Sequence, residues 1–327
     1  KNTENLFFTQ NLPGSSGSAS IQYNDGVLMN KGVEFNAGLS LIESEDFNLS
    51  LNINGEIFDN EITEMPADFF TGEEKVIDGS YSKGRSLYDF FLREWAGVNP
   101  ATGAAMWNLY YDDLNGDGVF GSGDAPITNM VIYMDENPGA NVASTTTEVY
   151  SDATQKYVGK SAIPDVRGSF RINASYKNFD LTAQFSYSMG GYVYDNGYSV
   201  LMSNSGLIGR DNYHTDIRNA WSQPGDITNV PRMSAGYSTD TQFSSTSTRF
   251  LTKANYLSLN NLRVGYTLPN KLATRAGIKS FNVYVSGDNL MMLSARKGMN
   301  PTTLISSSNS GIYMPMTTLS IGTTVQF

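Results

Sequence analysis

The sequence predicts an all-β protein, an antiparallel transmembrane β-barrel, and three observations predict it. The first is alternation. The last eleven residues place Leu319, Ile321, Thr323, Val325 and Phe327 on one face of a strand and Thr318, Ser320, Gly322, Thr324 and Gln326 on the other, because successive side chains of a strand point to opposite sides. The second is length. Segments with this period run to about ten residues, enough for a tilted strand to cross a bilayer, whereas strands of soluble sheets are nearer five or six. The third is rhythm: short turns alternate with long loops along the chain, as in barrels with tight turns at one rim and long loops at the other.

In chain order, Val33, Phe35, Ala37, Leu39 and Leu41 alternate with Glu34, Asn36, Gly38 and Ser40. After the turn Glu43–Asp46 come Leu49, Leu51, Ile53 and Ile57, opposite Asn48, Ser50, Asn52, Asn54 and Glu56. Phe170, Ile172, Ala174 and Tyr176 oppose Arg171, Asn173, Ser175 and Lys177. Across the Lys177-Asn178 turn, Phe179, Leu181, Ala183, Phe185 and Tyr187 oppose Asp180, Thr182, Gln184, Ser186 and Ser188. Leu262, Val264, Tyr266 and Leu268, then Phe281, Val283 and Val285, precede the last strand. Weaker alternation at Glu4–Gln10, Arg85–Ala96 and Ala104–Tyr111 brings the expected total to about ten strands. Turns are short at Glu43–Asp46, Lys177–Asn178 and Pro269–Ile278, and loops are long at Asp59–Gly84, Asp112–Val166, Gly190–Arg249 and Asp288–Pro315. The third loop lacks any period, apart from a short helix expected at Asp216–Trp221.

Composition agrees. Of 327 residues, 40% are hydrophobic and only 17% charged, with 19 Tyr and 17 Phe. A low charged fraction filled out by small polar and aromatic residues suits a chain half immersed in lipid, and also suits an extracellular β-sandwich. A net charge of −10 excludes nucleic acid as a partner, since phosphate contacts need clustered Lys and Arg. The lack of Cys excludes a disulfide framework or thiolate metal site. No run of 18 apolar residues is present, so no spanning helix is expected. There is no export signal, and Lys1 reads as the middle of a domain.

Catalysis finds no support. His214 is the only histidine, no Gly-x-Ser-x-Gly elbow occurs, and acid pairs such as Glu73-Glu74 sit in turn-like surroundings. One stretch has metal-ligand spacing: Asp113, Asn115, Asp117, the Val119 carbonyl and Asp124 fall at positions 1, 3, 5, 7 and 12 of a calcium loop, with Gly118 at the sharp turn. Position 12 is Asp rather than Glu and no helix pattern flanks the loop; the alternative is an ordinary Asn/Asp/Gly turn.

Several stretches, spread over nearly the whole chain, resemble one family. They are Asn30-Lys-Gly-Val-Glu34, Trp95-Ala-Gly-Val-Asn-Pro-Ala-Thr-Gly103, Tyr157-Val-Gly-Lys-Ser-Ala-Ile-Pro164, Phe185-Ser-Tyr-Ser-Met-Gly-Gly191, Arg218-Asn-Ala-Trp-Ser-Gln-Pro-Gly-Asp226, Tyr256–Pro269 and Val283–Leu290. Together, in this order, they resemble the C-terminal part of a SusC-like (RagA/SusC family) TonB-dependent outer-membrane transporter of Bacteroidetes. The resemblance implies a barrel of about 22 strands with a plugged lumen. It also implies TonB-driven import of oligosaccharides or peptides, a SusD-like lipoprotein lid, and a terminal Phe327 read by the barrel-assembly machinery. It places the protein in the outer membrane, long loops extracellular and C-terminus periplasmic. Residues 1–327 are then the C-terminal part of one barrel domain, without the plug and N-terminal strands.

Loop aromatics are the candidate contacts for ligand or lid: Trp107, Tyr110, Tyr111, Tyr192 and Tyr194, with Phe69-Phe70, Tyr88, Phe90-Phe91 and Tyr198 also noted. Their bland alternative is an interfacial girdle or packing. Lumen-facing polar residues are expected to include Asn52, Asn54, Arg171, Asn173, Gln184 and Gln326. A barrel serving as scaffold in a larger complex and a β-sandwich adhesin remain open beside the importer.

Overall fold

The structure is a computed structural model that describes residues 1–327 except 13–14, 16, 69–70, 204–211, 234–241, 243, 276, 303–307 and 310–313. Its frame is one eight-stranded sheet. The strands are β1 (Asn2–Asn11), β2 (Ser20–Glu43), β3 (Phe47–Glu64), β4 (Pro164–Tyr176), β5 (Phe179–Gly190), β6 (Tyr256–Thr267), β7 (Ser280–Ser294) and β8 (Thr318–Gln326). Each pairs antiparallel with its sequence neighbour, so the sheet is an unbroken meander.

Register decides the architecture. Leu51 of β3 faces both Leu39 and Ile172, and Ile172 faces Ala183, which faces Leu262. The polar rows match equally: Asn54 faces Asn36 and Ser169, and Ser169 faces Ser186. Every apolar face therefore lies on the same side of the sheet, and a slip of one residue would invert it. That apolar side is uncovered. Val33, Phe35, Leu39, Ile57, Val264, Val285 and Val325 are exposed, and Leu319 and Ile321 keep 74% and 81% of their surface. An apolar face this large and open fits hydrocarbon rather than water. A sandwich, which would cover it with a second sheet, is excluded.

The band can be measured. Along β3 it runs from Phe47 to Ile57, about 33 Å of strand, or about 25 Å across the membrane at a tilt of about 40°. Above it the same outer face turns charged, with Lys31 and Asp59 ion-paired at 3.3 Å. Its lower border is an aromatic row, Phe47, Tyr176, Phe179 and Tyr266, each opposite the next on adjacent strands. The Phe179 and Tyr266 rings lie 4.8 Å apart. Such a row suits the interface, where an amphipathic ring meets both lipid and water.

The connections 44–46, Lys177-Asn178 and 268–279 leave one rim of the sheet, the last carrying a helix over Asn270–Arg275, and the short connection 12–19 between β1 and β2 leaves the other. Lys177 turns with φ 51°, which tightens that hairpin to two residues. Long excursions, 65–163, 191–255 and 295–317, leave the other rim. Strands β3 and β7 thus extend to Glu64 and Ser294, past the Asp59 and Asp288 expected as loop starts. The expected count of about ten wall strands becomes eight. Segments Arg85–Ala96 and Ala104–Tyr111 are strands, but of small separate sheets in the first excursion: Asp89–Arg93, Trp95–Val98 and Ala105–Asp112. Period two marks any half-buried strand and does not say which sheet it joins.

The buried core sits mainly in this loop layer, with one small cluster, Leu28, Ile62 and Met65, where the upper ends of β2 and β3 meet it. Phe90, Leu92, Ala162, Tyr194, Met202, Val230 and Phe250 form one cluster from both large excursions. Ala105, Trp107 and Ala153 form another, with Trp95 and Tyr150 against it. The expected helix at Asp216–Trp221 is a 3-10 turn over Thr215–Asn219.

Candidate functional site: the polar wall face and the loop layer

The inner face of the wall is a hydrogen-bonded polar surface built by the same register. Asn54 Nδ2 donates to Ser169 Oγ at 2.9 Å, and Arg171 donates to Gln184 Oε1 at 2.7 Å. Arg167 pairs with Glu56, and Arg263 with Asp180 while also donating to Asn282 Oδ1 at 2.8 Å. The expected lumen residues Asn52, Asn54, Arg171, Asn173, Gln184 and Gln326 all lie on this face. Two glycines shape it. A Cβ at Gly265 would overlap the Asp180 carboxylate, and one at Gly322 would overlap the Tyr284 ring, over which Arg263 lies at 4.5 Å. A cleft of about 660 Å³ opens on this face between Glu34, Asn36, Glu56, Arg167 and Tyr256. The face is polar throughout: Arg167–Glu56 and Arg263–Asp180 are paired, while Arg171 and Glu34 form no ion pair among the described residues and stay open to water or a polar solute.

Above the wall, the family-like stretches fold against one another. Gly103, at φ 72°, leaves room for the Trp221 indole, which a Cβ there would overlap. Trp221 Nε1 and Gly225 N–H both donate to the Pro100 carbonyl, at 3.0 and 2.9 Å. The Asp226 carboxylate accepts from Ser222 N–H (2.9 Å), Ser222 Oγ (2.8 Å) and Gln223 N–H (3.0 Å), and these bonds hold its pKa below the usual range. Gly190 and Gly191, both at positive φ, let the end of β5 approach Asp165 and the Ala162 carbonyl. Asp195, 4% exposed, is ion-paired to Arg296 at 2.5 Å and caps the helix Asn196–Leu201 through Tyr198 N–H. Burial, with the Asp216 hydrogen bond at 2.7 Å, pushes the Tyr198 hydroxyl up to about 12. Burial likewise lowers Arg249 to about 10.

The aromatic candidates divide. Trp107 and Tyr111 keep 2% and 1% of their surface, and Tyr194 is buried too. Trp107 packs edge-on against Trp95 and Tyr150, Tyr111 against Phe120, and Tyr194 against Phe250. As ligand or lid contacts these three are corrected to core residues: in a loop layer with its own interior, large aromatics are what fills it. Tyr110 and Tyr192 stay partly exposed. Tyr110 donates to Glu94 at 2.7 Å beneath Lys156, and Lys160 lies 4.6 Å over the Tyr192 ring. Phe69-Phe70 lie outside the described residues.

In the calcium-like loop, Asp113 accepts from the N–H groups of Gly116, Asp117 and Gly118 at 2.9, 3.2 and 3.0 Å. Asn115 caps Asp117 N–H, Asp117 caps Val119 N–H and Asp124 caps Gly121 N–H. Among the described residues no three Asp, Glu or His side chains gather into a group able to hold a metal. One acceptor is left over: Asp124 Oδ1 is buried and has no partner among them.

Comparison with known proteins fits this geometry. No family model matches the chain. It is 30% identical over 301 residues to TonB-dependent receptor P3 of Formosa agariphila, covering 91% of this chain and 28% of that protein. To TonB-dependent receptor SusC of Bacteroides thetaiotaomicron it is 26% identical over 337 residues, covering 100% of this chain and 29% of the relative. The fold superposes on the RagAB peptide transporter with a TM-score of 0.71, and on the "closed-closed" state of the RagAB peptide importer with 0.74, at 24% identity over 100% of this chain and 32% of those chains. The chain thus spans about three-tenths of the length of the relatives it matches.

Proposed function

We propose that this chain, a member of the SusC-like family of TonB-dependent receptors, forms wall and mouth of an outer-membrane importer of oligosaccharides or peptides. A SusD-like surface lipoprotein closes over the loop layer, and TonB supplies the drive through a part of the protein outside these residues. The long-loop rim faces the exterior; the opposite rim, with Phe327, faces the periplasm, where the barrel-assembly machinery reads the terminal aromatic. The eight strands are one arc of a single barrel domain, because β1 and β8 each leave an edge that lipid does not tolerate.

The observation that carries this reading is the register: it gives one uncovered apolar face about as tall as a bilayer core and one hydrogen-bonded polar face, under a packed loop layer. Deleting the gene should abolish growth on one oligosaccharide or peptide source, and a version uncoupled from TonB should fail to restore it. Normal growth of the deletion strain on every such source would overturn the reading.

We also propose that the Asp113–Asp124 loop takes calcium. The buried, unpartnered Asp124 Oδ1 supports it, since a cation would satisfy that acceptor. The other carboxylates would have to re-aim, so affinity should be weak. Identical protease resistance of this loop with calcium and with chelator would remove the idea.

A further inference from the structure

The chain's charge is not spread evenly. Between Arg93 and Lys156 there is no Lys, Arg or His, but there are nine acidic residues: Glu94, Asp112, Asp113, Asp117, Asp124, Asp135, Glu136, Glu148 and Asp152. The stretch 94–155 thus carries a net charge of −9 against −10 for the whole chain. Asp117, Asp135, Glu136, Glu148 and Asp152 are exposed and form no ion pair among the described residues.

The same lobe ends in an open strand. Val142–Thr147 pairs with Ala105–Asp112 along one side, and nothing among the described residues pairs with its other side. The hydrogen-bond phase is fixed by Asp113 N–H, which donates to the Asn141 carbonyl at 2.9 Å. In an antiparallel ladder the bonded pairs alternate, so Ala143, Thr145 and Thr147 face the partner strand. Val142, Ser144 and Thr146 then turn their N–H and C=O groups outward. The opposing strand agrees: the N–H groups of Asn108 and Tyr110, opposite Thr146 and Ser144, point away, to Glu94 O at 2.9 Å and Thr154 Oγ1 at 2.8 Å. The edge carries no Pro, Lys or bulge, the devices by which edges are usually blunted.

We propose that this edge docks an imported peptide as an added β-strand, and that the peptide's Lys or Arg side chains are drawn by the surrounding carboxylates. Main-chain hydrogen bonds to residues 142, 144 and 146 give affinity independent of sequence, while the acidic lobe selects positive charge and speeds encounter. An oligosaccharide has no backbone that could continue the ladder. The inference rests on the import reading and narrows its cargo to cationic peptides.

The test uses the whole transporter purified in detergent and a heptapeptide alternating Lys with Val, followed by calorimetry at low salt. Ser144→Pro with Thr146→Pro removes two outward N–H groups and no ladder bond. Affinity should fall about tenfold, as should that of a native-sequence peptide N-methylated on one edge, which needs no protein variant. Exchanging Asp135, Glu136, Glu148 and Asp152 for their amides should weaken binding and flatten its salt dependence. Unchanged affinity for both the proline variant and the N-methylated peptide, or no affinity at all for the native transporter, would overturn the edge site. If cells then still take up the peptide only through this protein, import stands and only the docking site fails. Uptake that is indifferent to the protein's presence would defeat both.

Discussion

Ile172 of β4 sits at the middle of the apolar band, opposite Leu51 and Ala183. Its neighbour Asn173 lies on the polar face, where its amide donates toward Ser50 Oγ at 3.4 Å. Ile172→Arg therefore puts a guanidinium near the bilayer midplane, roughly 12 Å from either edge of a 25 Å band. Arginine at the midplane of a barrel's lipid face costs about 2–4 kcal/mol, a factor of roughly 30 to 1,000 in the folding equilibrium. Asn173→Arg meets water, Thr182 and the Ser50 hydroxyl instead, and should cost about 1 kcal/mol or less. The assay is urea unfolding of the whole transporter in lipid vesicles, comparing the two variants with the native protein. Equal destabilisation by both, or a larger loss from Asn173→Arg, would refute the assignment of faces.

Three further outcomes test the loop layer. Gly103→Ala should displace the Trp221 ring and strain a positive-φ position, costing about 1–3 kcal/mol, with a red-shifted tryptophan emission as the readout. Arg296→Met leaves Asp195 buried without its cation; with the Arg side chain itself 30% exposed, a loss of about 2–3 kcal/mol is expected in thermal unfolding, most of it recovered by adding Asp195→Asn. The turn held by Asp226 should respond to acid in one direction. Its folded pKa is depressed, so its contribution is present above about pH 4 and is lost as pH falls through the lower folded value. Trp221 emission should report that loss, and Asp226→Asn should abolish the transition.

Much of the wall was legible because two solvents write two alphabets on one strand. Leu51 and Asn52 are neighbours in sequence but face hydrocarbon and water, so the period survives over ten residues without competing demands. The loop layer obeys ordinary globular rules, and there the sequence was ambiguous. Ala105–Asp112 alternates as well as a wall strand does, because one of its faces packs on Ala153 and Tyr150. Trp107 and Tyr111 read as gripping aromatics and turned out to be interior, since residue type does not reveal which side of a small sheet is covered. The extension of β3 was missed because above the lipid band its outer face becomes charged, at Asp59 and Glu61, and that of β7 because its ladder with β6 shifts register between Asp288 and Met291, where Asn289 turns with φ 52°, so the alternation breaks while the strand continues. The strand edge at Val142–Thr147 left only a run of Ser and Thr as its signal; the charge asymmetry around it was visible in the sequence, but its meaning needed the ladder.

The most direct measurement is a cysteine scan along β5; these 327 residues contain no Cys, and any cysteine elsewhere in the transporter is first replaced by Ser. Single cysteines at residues 181–187 of the whole transporter, placed in vesicles, would carry a spin label read against a lipid-soluble and a water-soluble relaxant. Leu181, Ala183, Phe185 and Tyr187 should respond to the lipid-soluble agent, and Thr182, Gln184 and Ser186 to the water-soluble one, in strict alternation. A profile without period two, or with the two sets exchanged, would contradict the barrel wall on which everything else here depends.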